Sequence, residues 1–426
     1  MTGEGSPLGA AGVPAPRSLP RIAMDRVFGP FFVGKLLANV GIWIFNIATV
    51  ILVFDSTGSP LLVGLVSVML FAPQVLLVTV SGAVADRANR KVQLLTGRLL
   101  CTAGTLTIWL LLWVGGESPP TWAVMTAVAA VGVGFTVGGP AMQAMLPSLV
   151  RPGETPKAVA LDNFSFAIGR AFGPAVGGVM AVTVGLTWAF GVSTVLHVVF
   201  GVVVATLPSG DHPRGAADDV SIRAGLAYVA SRPAIAAVLL GVTAIGIGAD
   251  PAITLAPSLA SQVGGGADLV GTFASAFGLG AFVAFFPQSL LTRRLGSERL
   301  ASLGLLCMAA GAVVLIVATA TWVAVLAFGL AGVGMTLSLT ALGTELYARV
   351  PGAFRGRVMA LWLLGFLGSR PLAAGLNGVL ADVLSVGAAL AATAVLVLGA
   401  AWACRPLVLR EPPSGIEPGA SGSATA

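Results

Sequence analysis

Apolar residues along this chain gather in long runs separated by short polar connections. The runs fall at residues 28 to 54, 61 to 85, 92 to 114, 121 to 145, 158 to 183 and 187 to 207, and then at 234 to 257, 268 to 290, 300 to 318, 322 to 345, 358 to 381 and 384 to 404. Each run approaches the ~20 residues that a helix needs to cross a hydrocarbon core. In lipid a spanning segment must satisfy its own backbone hydrogen bonds, which a helix does. The short segments of alternating polarity that build a membrane barrel do not occur. The pattern predicts an all-α membrane protein of 12 transmembrane helices in two six-helix bundles.

Charge placement tests that count, because one span too many or too few would scramble the alternation of basic and non-basic connections. Of the 23 Lys and Arg residues, 20 lie at the N-terminus, in the even-numbered connections with the start of span three, or at the C-terminal end. The odd-numbered connections have none. The rule places both termini in the cytoplasm, and Trp113, Trp122, Trp188 and Trp322 at the opposite ends of spans, where an aromatic belt belongs. The expected organisation is a disordered cytoplasmic segment at 1–27, a bundle at 28–207, a linker at 208–233 with a short amphipathic stretch from Ile222 to Val229, a bundle at 234–404 and a disordered tail at 405–426.

Composition agrees. Charged residues make up 9% and apolar residues 56%, against roughly 25% charged in soluble domains. A net charge of +6 would suggest a nucleic-acid partner in a soluble chain; here topology accounts for the basic residues, and the expected surroundings are lipid. Cys101, Cys307 and Cys404 are isolated, without the spacing of a metal site or a disulfide framework. No cofactor is expected.

The two halves read as repeats offset by about 205 residues: Arg293 and Arg294 follow an apolar run as Arg87 and Arg90 do, and Pro174 in span five matches Pro371 in span eleven. Paired bundles place a substrate site between them, near the midplane.

Two motifs go beyond what topology demands. The second connection carries Gly82 four residues before Asp86 and Arg87, with Arg90 three residues beyond; span five carries Gly169, Gly173, Pro174, Gly177 and Gly178. The first resembles the signature between helices two and three of the major facilitator superfamily, and the second resembles the antiporter motif of its drug:proton exporters. Residues 140 to 150 and the run from Arg355 to Met359 are similar to corresponding segments of the bacterial enterobactin-exporter and macrolide-efflux subgroup. The resemblance implies a monomeric multi-pass carrier of the bacterial cytoplasmic membrane, powered by the proton gradient. It also implies that Asp86 meets the start of helix eleven, where Arg355 and Arg357 are the available partners and the helix N-terminus itself favours a carboxylate. On the residues alone, the glycines let helices approach closely and Pro174 bends its helix. Packing and gating readings both stand.

Charges inside spans are costly and call for a partner or a cavity. Arg170 and Arg370 sit near the middles of spans five and eleven. Facing one cavity, they would favour a carboxylate, a catecholate or another anionic group. Asp250, followed by Pro251, is the carboxylate well inside a span and the candidate proton site; the alternative is an outer-end residue wetted by water. Asn39, Trp43 and Asn46 share a face of span one and are expected either to line the cavity or to pack on a neighbour. Lys35 is expected to snorkel toward the cytosol, Asp162 and Glu345 to join a network between the halves, Asp382 to be an external charge and His197 to be structural. Span one departs from the resemblance, with Ile42 where an acidic residue often follows the glycine.

The favoured expectation is export of a small organic molecule by proton antiport with alternating access. An importer of the same fold is the nearest alternative. A membrane-embedded prenyl or lipid transferase would want clustered carboxylates at a cytosolic mouth, which the connections lack, and a non-transporting sensor would keep the scaffold.

Overall fold

The computed structural model describes residues 17–87, 89–116, 118–208 and 227–409. The first six spans are single helices: Phe28–Thr57, Pro60–Arg87, Arg90–Gly115, Thr121–Met145, Thr155–Thr183 and Leu186–Thr206. The ninth to twelfth are Ser297–Val317, Thr321–Arg349, Gly352–Val383 and Val386–Ala403. The seventh is broken into Pro233–Gly248, Pro251–Thr254 and Ala256–Gln262. The eighth bends by 62° between Ala267–Val283 and Gln288–Leu295, so among the described residues eleven helices are long and apolar enough to cross a membrane, or twelve with that pair taken as one span.

The breaks have local causes. Pro251 and Pro287 lack a backbone N–H, and their rings crowd the carbonyls four residues earlier, at Ile247 and Val283. The preceding helices end at Gly248 and Val283. Pro73, Pro140, Pro174 and Pro371 stay inside continuous helices, as spanning helices tolerate when neighbours support the backbone.

The repeat is visible in packing. Spans three and four meet where a Cβ on Gly97 would stand 2.6 Å from the Gly134 carbonyl oxygen, and spans nine and ten meet where one on Gly304 would stand 2.6 Å from that of Gly334. Only a missing side chain permits such approaches, which supply dispersion contact where lipid offers no hydrophobic drive. Leu76, Val195 and Leu372 are exposed on the outer surface of the bundle, the side that hydrocarbon covers.

The halves touch along two seams, span two against span eleven and span five against span eight. Both seams make close approaches at the end away from the basic connections. There a Cβ on Gly178 would lie 2.8 Å from Gly271 Cα, and one on Gly378 would lie 3.0 Å from the Pro60 oxygen. Ser59 Oγ donates to Asp382 at 2.9 Å across the same end, so Asp382 ties the halves together. At the basic end, Gly82 has no atom within 4 Å of where a Cβ would stand. The close contact expected of this glycine is not made in this conformation.

The ends of the chain depart from expectation. Residues 17 to 27 belong to the stretch expected to be disordered, yet Leu19–Ala23 forms a helix with Ile22 fully buried. Arg17 ties it down: its guanidinium pairs with Glu154 at 2.7 Å and Asp25 at 2.6 Å, and Lys157 Nζ donates to its carbonyl at 2.5 Å. Arg17 holds the carboxyls of Asp25 and Glu154 down at about 2 through its hydrogen bonds, and the same bonds raise its own pKa. At the other end Pro406–Leu409 is helical, and Arg349 donates to the Leu409 carbonyl. Residues 1–16 and 410–426, and the expected amphipathic stretch up to residue 226, lie outside the described residues.

Candidate functional site

Two adjoining cavities lie between the halves from their middle toward the basic end, and a separate one of about 140 Å³ lies at the opposite end, between Phe54 and Asp55 of span one and Pro257 and Ser261 of span seven. The deeper, of about 170 Å³, is lined by Trp43 and Asn46 of span one, Phe71 and Gln74 of span two, Phe166 of span five and Arg370 of span eleven, among others. The larger, of about 470 Å³, lies toward the basic end, where Lys35, Asn39, Gln143, Asp162 and Leu363 line it. Gln74, Phe135, Phe166 and Leu367 belong to both, so the two form one tapering space. It is narrow at Arg370 and widens toward the basic end.

Of the face expected on span one, all three residues reach the space. Asn39 Nδ2 donates to Ser165 Oγ at 3.0 Å, whereas Trp43 Nε1 and Asn46 Oδ1 are buried without a hydrogen-bond partner. Lys35 does not snorkel. It is 6% exposed and pairs with Asp162, whose other oxygen accepts from Gln143 at 3.5 Å. Glu345 likewise stays within its own half, accepting from Ser297 and pairing with Arg349. Among the described residues, the partners of each acid lie within its own bundle. His197 is buried, with Nδ1 2.9 Å from the Ser193 carbonyl.

The two arginines do not share the cavity as expected. Arg370 lines it, with its guanidinium carbon 5.1 Å from the ring centre of Phe71 in the other half and 5.3 Å from that of Phe366. Arg170 instead lies against Trp43 at 5.3 Å and Phe277 of the other half at 5.0 Å. The two form a symmetric pair of contacts, each arginine reaching an aromatic ring across a seam. Span five meets span eight so tightly that Gly278 packs on the Arg170 backbone, which keeps Arg170 out of the cavity.

Asp250 lies at the break of span seven, between Gly248 and Pro251. It is 5% exposed and is not the water-wetted residue of the alternative reading. Oδ2 accepts from Asn377 Nδ2 at 2.7 Å and Oδ1 from Thr254 Oγ1 at 2.9 Å. Thr393 Oγ1 donates to Asn377 Oδ1 at 3.0 Å. Thr254 Oγ1 in turn lies 3.5 Å from Ser67 Oγ of the other half, so a chain of polar groups runs from Asp250 to the seam.

The span-five motif divides by position. Cβ atoms on Gly169, Gly173 and Gly177 would fall 2.8 Å from Asn39, 2.6 Å from Trp43 and 3.2 Å from Ile44, all on span one of the same half. Gly178 and the Pro174 carbonyl face Gly271 of span eight. At the second connection, Arg90 donates to the Ala144 carbonyl at 3.3 Å, and Arg357 lies over Phe354 at 5.5 Å. The side chains of Asp86, Arg87 and Arg355 lie outside the described residues.

Sequence reasoning missed Gln74, the aromatic wall, and the partners of Asp250. Gln74 alone left a signal, as the lone amide in span two. Among the described residues no group of three or more His, Cys, Asp or Glu is placed to hold a metal.

Two six-helix bundles around a part-polar cavity are the architecture of the major facilitator fold. The profile of the transmembrane secretion effector family matches residues 22–417, and the chain belongs to that family. The enterobactin exporter EntS of Shigella boydii serotype 4 (strain Sb227) is 25% identical over 343 residues, 79% of this chain and 80% of its own length. Among solved structures, the nucleoside transporter NupG superposes with a TM-score of 0.72 at 12% identity, over 89% of this chain and 100% of that one. A bacterial homologue of the lysosomal transporter Spinster, inward-facing and unoccupied, gives 0.71 at 14% identity, over 90% and 96%. A bacterial ferroportin homologue, also inward-facing, gives 0.69 at 16% identity, over 93% and 100%. At these identities the structures share the fold.

Proposed function

We propose that this protein exports a small organic molecule across the bacterial cytoplasmic membrane, in exchange for protons, by alternating access. The observation that carries the reading is the tapering cavity between two seams of small residues, narrow at Arg370 and widening toward the basic end. With the basic connections cytoplasmic, the cavity faces the cytosol, the side from which an exporter loads. The relative that is named an enterobactin exporter supports the outward direction.

Asp250 is the proposed proton site. As a carboxylate it accepts from Thr254 and Asn377. As a neutral acid it lets the Thr254 hydroxyl turn from Asp250 to Ser67 across the seam. Protonation therefore changes both the hydrogen bonding and the charge balance at the contact between the halves. A latch between Asp86 and the start of span eleven, at Arg355 and Arg357, would hold the cytoplasmic end closed in the opposite state.

The test uses proteoliposomes with an imposed proton gradient and a panel of drugs and siderophores. The reading predicts that at least one cargo moves against the proton flux and dissipates the gradient, and that Asp250→Asn abolishes this exchange. Cargo moving in the same direction as protons would replace the exporter with an importer.

A further inference from the structure

We propose that the deeper cavity is a subsite for an aromatic ring bearing a carboxylate, and that Arg370 is the residue that binds the carboxylate. The subsite deepens the transporter reading and rests on it. Arg370 is 7% exposed, and among the described residues its guanidinium makes no hydrogen bond and no ion pair. Asp250 of span seven accepts from Thr254 and Asn377 instead. In place of a counter-ion, Arg370 has the rings of Phe71 and Phe366, whose centres lie 5.1 and 5.3 Å from its guanidinium carbon. A charge inside the membrane is costly and faces a partner or a cavity, and ring faces compensate a cation less than a charge-assisted pair of hydrogen bonds does.

The atoms left open are donors. Nε of Arg370 is sealed off by its surroundings, whereas Nη1 and Nη2 remain open and unpartnered, and the deeper cavity is the space that Arg370 lines. Asn46 of the other half lines it too: its Oδ1 is sealed off, and its unpartnered Nδ2 remains open. A guanidinium edge and an amide N–H call for acceptor oxygens, and the planar pair of Nη atoms matches the two oxygens of one carboxylate. Arg170, also without an ion pair, lies over the ring of Trp43 at 5.3 Å, and Trp43 lines the cavity, so a second positive charge stands beside the same wall. Phe71, Phe135 and Phe166 supply flat apolar surface, which suits a ring. A volume of about 170 Å³ holds one ring, since a cavity of about 150 Å³ lined by apolar side chains takes up benzene. The remainder of a larger cargo would extend into the adjoining space of about 470 Å³. Asn46 belongs to one half and Arg370 to the other, and the bound carboxylate would join them.

The test measures binding of 2-aminobenzoate, which is fluorescent, and of 2-aminobenzamide, its neutral counterpart of the same shape, to the full-length protein in uncharged detergent micelles, with empty micelles as the blank. The parent protein should bind the carboxylate about tenfold more tightly than the amide, or better. Arg370→Met should lose that preference while binding the amide as before, which also shows that its cavity is intact. Arg370→Lys should keep part of the preference, because it retains the charge and loses the fork. Equal binding of the two probes to the parent protein, no binding of either, or a preference undiminished in Arg370→Met would overturn the proposal. Transport of other cargo without 2-aminobenzoate binding would remove the subsite and leave the exporter standing; binding of 2-aminobenzoate without flux of any cargo would do the reverse.

Discussion

Lys35 and Asp162 form a buried ion pair on the cavity wall, and removing either partner leaves the other charge unbalanced in a low-dielectric setting. Loss of one member of such a pair costs about 3–5 kcal/mol, whereas replacing both with apolar residues of similar volume is often nearly neutral. Lys35→Met and Asp162→Leu alone should each lower thermal stability strongly in detergent, and the double variant should recover most of the loss; an additive double variant would contradict a paired role. At the second connection, Asp86→Asn should slow transport severalfold without changing insertion or yield, and unchanged export would remove the latch. Individual residues were the least legible level of the sequence. Lys35 read as a snorkelling cation because a helical run does not say which neighbour it faces, and Asp162 lies 127 positions away. Arg170 and Arg370 look equivalent in sequence, yet the tight seam against Gly278 turns Arg170 onto aromatic rings and leaves only Arg370 at the cavity.

The helices were more legible, because a span is set by a local property, the length of an apolar run. Spans four and five kept their expected ends at Met145 and Thr183, while spans two and eleven extend past theirs to Arg87 and Val383, where polar residues continue the helix beyond the apolar run. The breaks in spans seven and eight were not read, since four other prolines stay within continuous helices and tertiary support distinguishes the cases. The seams give a prediction at this scale. Gly178→Val places a branched side chain against Gly271 and should open the end away from the basic connections. Cysteines introduced as Ser59→Cys and Asp382→Cys should cross-link readily in the parent protein and severalfold less with Gly178→Val; undiminished cross-linking would show that the seam tolerates the bulk. The N-terminal helix gives another. The carboxyls of Asp25 and Glu154 are depressed to about 2 from ordinary values near ~4, so the clamp contributes fully above the ordinary carboxylate range and is lost as pH falls through about 2. Hydrogen-exchange protection at Ile22 should stay flat from about pH 8 to 5 and decline only in stronger acid. A loss near pH 6 would mean that other groups hold the helix.

At the scale of the whole molecule, the two-bundle architecture was readable from charge alternation and the repeat, both of which follow from how a chain inserts into a bilayer. The conformation was not readable, since a sequence for alternating access must encode more than one arrangement of the same seams. The structure is closed where Gly178 meets Gly271 and Gly64 meets Gly378, and its cavity opens toward the basic end. The account requires the reverse arrangement as well, with Asp250 linking the choice to a proton. Distances between paired spin labels, one pair across each end of the bundle, measured in lipid nanodiscs as pH is lowered, test this most directly. The account predicts that one end opens as the other closes, and that Asp250→Asn abolishes the pH response while both arrangements stay accessible. Ends that stay fixed across pH, or that open and close together, would contradict it.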